Sequence, residues 1–456
     1  MKRLARSLHQ KLGDFWWYSL MLFCACRAAD LLNAFVGLWL VPKYIGPSEL
    51  GAVAPLANFA AFLAIPAGVF ANTFRNEVSR LSVAGEFGKL KTLVRSVFAA
   101  SAVFLVLALA AAKFILPHFL ERIRVAEGSL GFVVIASAFL AATSPVYSNA
   151  VQALKKFKLQ STIHVFGAPV RLLAMLAAMP FRALTGYFVG QAAVPAFSIA
   201  ASVVGLRKEF AVRAEPYWDR PAVRRFAALF AVFAAYALSG GFSGLVEPTI
   251  IRQRLPELDS AGYYMATRFS EIASYLYCAM SFAFFPFAAE LAAKGRGAAK
   301  LIFKATGVNI AFCSILALAL VFAGGRILAL LPHGGEYSAY WWAAPWLVAL
   351  TAAASFQDMY FTSEFAAGRF GFLKWAVPVN IAYPAILLAV TGHGYFAPFM
   401  PASWTEFLDL HNIRSLDTML WWMTAFAAVK TACCLAAMAA SRGYAPFTSG
   451  RSSIFS

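Results

Sequence analysis

Residues 94–116 read VRSVFAASAVFLVLALAAAKFIL, with two charges, Arg95 and Lys113, each near an end. A helix that crosses the hydrocarbon core of a bilayer takes about 20 mostly apolar residues. This stretch is long enough to span and too apolar to lie in water. Comparable runs recur on both sides of it, near 17–41, 50–74, 130–154, 159–180, 185–206, 226–250, 262–286, 304–330, 341–365, 375–398 and 419–440. With 94–116 they predict about twelve transmembrane helices. The composition agrees: of 456 residues 61% are hydrophobic and 13% charged, where a soluble domain carries about 25% charged residues. Too little charge is present to cover soluble domains of this total length. That excludes a cytosolic enzyme, a secreted disulfide scaffold and a disordered chain. The expected class is an all-α polytopic membrane protein.

Lys and Arg number 39 against 21 Asp and Glu, a net charge of +18. The basic residues fall between apolar runs rather than on one folded face, so they predict topogenic charge and attraction to anionic membrane lipids, with no nucleic-acid partner. Most of them lie in alternate gaps on one side, which by the positive-inside rule places both termini in the cytoplasm. The first run follows Lys2, Arg3, Arg6 and Lys11 but is long, contains Arg27 and Asp30, and has no small-residue cleavage site. It is therefore expected to be a retained helix rather than a signal peptide. Trp16, Trp17 and Tyr18 at one border, and Trp341 and Trp342 at another, suit the interfacial aromatic belt. Cys24, Cys26, Cys278, Cys313, Cys433 and Cys434 all sit inside apolar runs, as small buried hydrophobes.

An internal repeat organises the spans. Ser48-Glu49-Leu50-Gly51 precedes an apolar helix and a basic loop with Lys89-Leu90. Asp259-Ser260-Ala261-Gly262 precedes an apolar helix ending Phe285-Pro286 and a loop with Lys300-Leu301. Gly51 and Gly262 stand 211 residues apart, as do Lys89 and Lys300. An offset near half the chain predicts two six-helix lobes, residues 1–206 and 226–456. They are joined by the basic cytoplasmic loop 207–225, which runs from Arg207-Lys208 to Arg224-Arg225. Six is even, so the repeat is parallel rather than inverted.

The loop Tyr44-Ile45-Gly46-Pro47-Ser48-Glu49-Leu50-Gly51 resembles that of bacterial polysaccharide flippases. The stretch from Asp259-Ser260-Ala261-Gly262-Tyr263-Tyr264-Met265-Ala266-Thr267-Arg268 to Phe285-Pro286 resembles their eighth helix. These proteins belong to the multidrug/oligosaccharidyl-lipid/polysaccharide exporter superfamily. The resemblance implies two lobes around a central cavity, in the bacterial inner membrane. It further implies movement of a polyprenyl-diphosphate-linked oligosaccharide by alternating access, for cell-surface polysaccharide biosynthesis. Glycosyltransferases and a polysaccharide polymerase would then be partners. In related flippases of lipid-linked peptidoglycan precursors, arginines of the first and eighth helices line the cavity, and Arg27 and Arg268 stand at the similar positions.

Charge inside the spans supplies the candidate site. An ionised side chain at mid-bilayer costs about 2.5–3.5 kcal/mol on insertion scales and should face water or a partner. Arg27, Asp30 and Asn33 follow one another at three-residue steps and so share a helix face. Arg268 and Glu271 repeat the spacing in the eighth helix. Arg171, Glu247, Asp358 and Lys430 lie in the fifth, seventh, tenth and twelfth. Arg27, Arg268, Asp30, Glu271, Arg171, Glu247 and Lys430 are the expected substrate-binding residues. Arginine is singled out because its guanidinium binds phosphate bidentately. Packing ion pairs, Arg27–Asp30 and Arg268–Glu271, are the competing reading. Pro55, Pro66, Pro145, Pro169, Pro195, Pro248, Pro345, Pro378 and Pro384 interrupt spans, and Gly240-Gly241 with Gly244 forms a candidate hinge.

The chain has no Gly-rich nucleotide loop, no Gly-x-Ser-x-Gly elbow and no His spacing for a metal. It is therefore expected to be no enzyme, with no cofactor and no metal site. Transport would draw on the membrane potential or on a coupling ion, proton or sodium. An ion-coupled multidrug or cation exporter of the same superfamily is the alternative, with Asp30 or Glu247 as its carboxylate. A membrane glycosyltransferase or ligase would need the outer gap 399–418, whose charges suit a short helix on the membrane surface.

Overall fold

The apolar runs form helices, several of them much longer than the runs themselves. In the computed structural model, which describes residues 27, 29–154, 156–293, 297–396 and 412–442, the run 94–116 lies inside a 36-residue helix, Phe87–Arg122. At about 1.5 Å per residue that helix is about 54 Å long, against about 30 Å of hydrocarbon. Backbone hydrogen bonding does not stop where apolarity stops. The ends therefore project past the membrane and carry the basic residues with them.

Twelve long helices are described: α1 (29–44), α2 (Val53–Val83), α3 (Phe87–Arg122), α4 (Gly128–Ala153), α5 (Phe157–Ala178), α6 (Ala183–Gly205), α7 (Arg220–Arg254), α8 (Glu257–Ala293), α9 (Ala299–Ala329), α10 (Ala343–Ala366), α11 (Leu373–Phe396) and α12 (Leu416–Arg442). No strand forms among the described residues. The start of the first span, with Trp16, Trp17, Tyr18, Cys24 and Cys26, lies outside the described residues. So does most of the outer gap 399–418. Large apolar side chains point outward along the helices, among them Val106, Phe114, Ile315, Phe322 and Trp421. Only a lipid surround makes such a surface favourable. The protein is a multi-pass membrane protein.

Among the described residues nine helices are long and apolar enough to cross a membrane. The expected spans 17–41, 262–286 and 341–365 are not among the nine; the first lies largely outside the described residues, and the other two form the helices α8 and α10. These two carry Asp259, Thr267, Arg268, Glu271, Gln357 and Asp358, and they pack on each other. A helix flanked by protein tolerates polar residues that lipid would reject.

The contacts divide the chain into two compact units. One comprises the chain up to Ile45 together with Leu56–Ala237, and the other Gly46–Pro55 together with the chain from Leu238 onward. The division falls inside α7, next to Gly240-Gly241. The basic loop expected to separate the lobes is held within the first unit. Lys91 Nζ donates to the Val212 carbonyl at 2.8 Å and Thr92 Oγ1 to that of Glu215 at 2.6 Å. Trp218 Nε1 donates to Ser96 Oγ at 2.9 Å, and Tyr217 is buried with Phe74, Leu81 and Leu90. Lys156 pairs with Glu209 at 2.7 Å. Burial pushes the Glu209 carboxyl up, but the hydrogen bond and charge of Lys156, a backbone hydrogen bond and the charge of Lys208 together hold it below its ordinary value.

The two glycine motifs meet in the second unit. The single turn Pro47–Leu50 packs on α8, and Ser260 Oγ donates to the Gly51 carbonyl at 3.2 Å. A Cβ on Gly51 would sit 2.5 Å from Ser260 Oγ, and one on Gly262 would sit 2.4 Å from Cγ of Tyr340. Both glycines therefore serve close approach. Tyr340 cannot swing aside freely, because its hydroxyl donates to Asp259 Oδ1 at 2.5 Å. Gly262→Ala is expected to destabilise the second unit by about 1–3 kcal/mol, the usual cost of overpacking. Thermal unfolding in detergent measures it, and adding Tyr340→Ala should recover part of the loss.

The prolines behave in two ways. Pro66, Pro145, Pro169, Pro195, Pro248, Pro378 and Pro384 sit inside helices that continue past them. Pro55 and Pro345 instead occupy the first turns of α2 and α10, where a missing N–H breaks no helical bond. Those two start helices rather than interrupt spans.

Candidate functional site

The intramembrane charges gather into one polar cluster in the first unit and two in the second. In the first unit the three-residue stripe of α1 meets a stripe on α5. Arg27 Nη2 pairs with Asp30 Oδ2 at 3.1 Å. Arg171 Nη1 donates to Asn33 Oδ1 at 2.9 Å. Gln160 Nε2 lies 2.9 Å from His164 Nε2, and His164 is an electrostatic neighbour of Asp30. The buried Nε of Arg171 has no hydrogen-bond partner among the described residues. Just beyond Asn33, α1 widens into a π-helical turn at Val36–Leu40, a feature often found beside functional residues. The expected α1 residues and Arg171 are therefore brought together. His164 and Gln160 join them without having been expected, although Gln160, His164 and Arg171 recur at helical spacing on one face of α5.

In the second unit, Glu247 of α7 accepts two tyrosine hydroxyls. Tyr263 donates to Oε1 at 3.0 Å and Tyr383 to Oε2 at 3.2 Å. Tyr383 stacks on Phe426 with ring centroids 4.0 Å apart. On the neighbouring turn of α8, Arg268 Nη1 pairs with Glu271 Oε1 at 2.8 Å and its guanidinium lies 4.3 Å over the Tyr264 ring. The Arg268 side chain is 16% exposed, that of Glu271 46%. A carboxylate so exposed in mid-helix must face water rather than lipid, given the cost of charge in hydrocarbon.

A further cluster joins α10 and α12. Lys430 Nζ lies 5.5 Å from the Phe361 ring centroid and 5.7 Å from that of Phe426. Asp358 is its electrostatic neighbour and is hydrogen-bonded to Tyr277. Lys430 is thus held by aromatic faces as well as by charge. The tyrosines were the residues that sequence reasoning missed, because nothing in the spacing of Tyr263, Tyr277 and Tyr383 distinguishes them from belt or core aromatics.

Gln357 of α10, by contrast, is structural. Its Nε2 donates to the Ala427 carbonyl at 3.1 Å and to Thr431 Oγ1 at 3.0 Å, fixing α10 against α12. Among the described residues no group of three or more His, Cys, Asp or Glu side chains could hold a metal ion.

By sequence, no family model and no curated protein matches the chain. By structure, an inward-facing multidrug resistance MATE family transporter of the MOP superfamily aligns with 95% of this chain and 100% of its own. The TM-score is 0.65 and the identity 12%. The Vibrio cholerae MATE transporter VcmN, in a mutant form, aligns with 96% of this chain and 98% of its own, at a TM-score of 0.58 and 16% identity. The lipid II flippase MurJ, in an inward closed conformation, aligns with 92% of this chain and 87% of its own, at a TM-score of 0.60 and 12% identity. At these identities the likeness establishes the fold, which is the helical transporter fold of these proteins.

Proposed function

We propose that this chain is a flippase for a polyprenyl-diphosphate-linked oligosaccharide, working by alternating access in cell-surface polysaccharide biosynthesis. The observation that carries this reading is the set of mid-helix guanidiniums. Arg27 pairs with Asp30 and Arg171 donates to Asn33 of the same helix, and Arg268 lies over Tyr264 and against Glu271. A diphosphate that leaves water needs such donors to replace its hydration, and arginine presents them as a fork. The fold shared with the lipid II flippase MurJ supports the same substrate class. In this reading the moving parts are the six-helix lobes 1–206 and 226–456, the loop 207–225 is cytoplasmic, and both termini face the cytoplasm of a bacterial inner membrane. Asp30 in the first unit, and Glu271, Glu247 and Lys430 in the second, are the further substrate-binding residues of this reading, and the chain itself catalyses no reaction. Glycosyltransferases that build the lipid-linked sugar and a polymerase that consumes it are the expected partners.

One observation favours a second reading. Glu247 is held by two tyrosine hydroxyls and paired with no cation among the described residues. A carboxylate so placed suits binding of a proton or sodium ion, as an ion-coupled exporter of cations requires. The multidrug transporters with the same fold support that alternative.

Deletion of the gene, followed by mass spectrometry of lipid-linked sugars, separates the two. The flippase reading expects a polyprenyl-diphosphate glycan to accumulate and to clear on complementation. Sensitivity to cationic dyes without accumulation would replace it with the exporter.

A further inference from the structure

We propose that the first unit carries a specific site for the phosphate headgroup of an anionic phospholipid, at the basic ends of α3, α4 and α6. A cavity of about 240 Å³ opens there, lined by Lys91, Val94, Arg95, Tyr147, Val203, Arg207 and Phe210. Three cations from two separate segments converge on it, and no acidic side chain lines it. Among the described residues none of the three makes an ion pair. The nearby carboxylate of the loop, Glu209, is taken by Lys156 at 2.7 Å. Lys91 is anchored by one hydrogen bond to the Val212 carbonyl at 2.8 Å, which leaves two of its protons to donate.

The height of the cavity along the helices identifies the ligand. Arg95 stands where the apolar run of α3 begins, and Arg207 two residues after α6 ends, the level at which headgroups lie. Phe210 and Tyr147 provide the aromatic surfaces usual at that level. Just beyond Arg95 and before Arg207, Phe98, Val103, Val203 and Val204 are 39%, 59%, 45% and 64% exposed. They leave exposed apolar surface, a wall for acyl chains, within about two helical turns of the cations. A soluble phosphate compound would use the cations but leave that wall uncovered. A phospholipid uses both.

The strap 207–219 makes the site a built one rather than loose charge on a tail. Arg207 and Phe210 are positioned because the loop is tied to α3 through Lys91, Thr92 and Ser96. Lipid binding would tie it further, with the headgroup bridging Arg95 of α3 and Arg207 of the loop. The proposal rests on the membrane fold alone and is independent of what the protein transports.

The test uses the full chain purified in a neutral detergent and titrated with phosphatidylglycerol, bound lipid being counted by native mass spectrometry. Each basic side chain near an anionic lipid contributes about fivefold, so Arg95→Gln combined with Arg207→Gln should weaken binding about thirtyfold. Arg95→Lys with Arg207→Lys should stay within a few-fold of wild type. Lys374→Gln, an exposed basic residue at the start of α11, should change nothing. Phosphatidylcholine should bind no better to wild type than to the double Gln variant, and millimolar inorganic phosphate should not displace phosphatidylglycerol. Unchanged binding in the double Gln variant, equal loss with Lys374→Gln, or displacement by inorganic phosphate would each overturn the lipid assignment.

Discussion

Under the proposed flippase function, Arg268→Ala is expected to abolish export of the lipid-linked glycan while leaving the protein in the membrane. The guanidinium lies over Tyr264 and against Glu271, 16% exposed, so it is already oriented and partly stripped of water. A charge-assisted hydrogen bond contributes about 1.5–3 kcal/mol, and a forked contact to diphosphate makes two. Losing both corresponds to at least a hundredfold loss of affinity. Arg268→Lys keeps the charge but not the fork and should give an intermediate phenotype.

The competing role, a packing ion pair with Glu271, makes a different forecast. Glu271→Ala would then match Arg268→Ala, and both would lower the amount of folded protein. Accumulated lipid-linked sugar, surface glycan and membrane protein level, measured together, separate the two roles. Surface glycan at the wild-type level in the Arg268→Ala strain would refute the diphosphate contact.

Arg252→Ala should be the most damaging single change to the second unit outside the polar clusters. Arg252 is 1% exposed, donates to the Ser48 carbonyl at 2.7 Å and lies 3.5 Å from Glu257. It fastens the segment Gly46–Pro55 to the end of α7, while Arg254 beside it donates to the Thr391 carbonyl of α11. Truncation removes a charge-assisted bond and leaves a void in a packed site, at an expected cost of about 2–3 kcal/mol. Ser48 lies at the surface, so water replaces part of the lost bond and keeps the cost from rising further. The measurement is thermal unfolding in detergent, together with thiol labelling of a Ser48→Cys reporter. The melting temperature should fall and labelling should speed up. A melting temperature equal to wild type would show that the buried Arg252 contributes nothing net to the stability of the second unit.

The candidate site was legible in the sequence to the extent that charge is costly in a membrane. Arg27, Asp30, Arg171, Glu247, Arg268, Glu271, Asp358 and Lys430 stand out because apolar runs have few reasons to contain them. Their partners do not stand out. Tyr263 and Tyr383 are apolar enough for any span and polar enough to hold Glu247. His164 lies on the α5 stripe with Gln160 and Arg171, but only the neighbouring α1 gives that stripe meaning. The glycine motif was legible in a different way. Gly51 and Gly262 marked a repeat offset, and the structure adds that the two motifs pack together around Ser260.

What the sequence by itself determined is the membrane class, the order of the apolar helices, and the rarity of charge within them. Those follow from hydropathy, a property each segment has alone in lipid. Tertiary structure alone decided which polar residues meet, that the segment after α1 joins the second unit, and that the basic loop is strapped beneath the first. It also decided how α8 and α10 keep their polar residues, by packing on each other. Such pairings depend on side chains from helices far apart in the chain, and the period of a single helix carries no record of its neighbour.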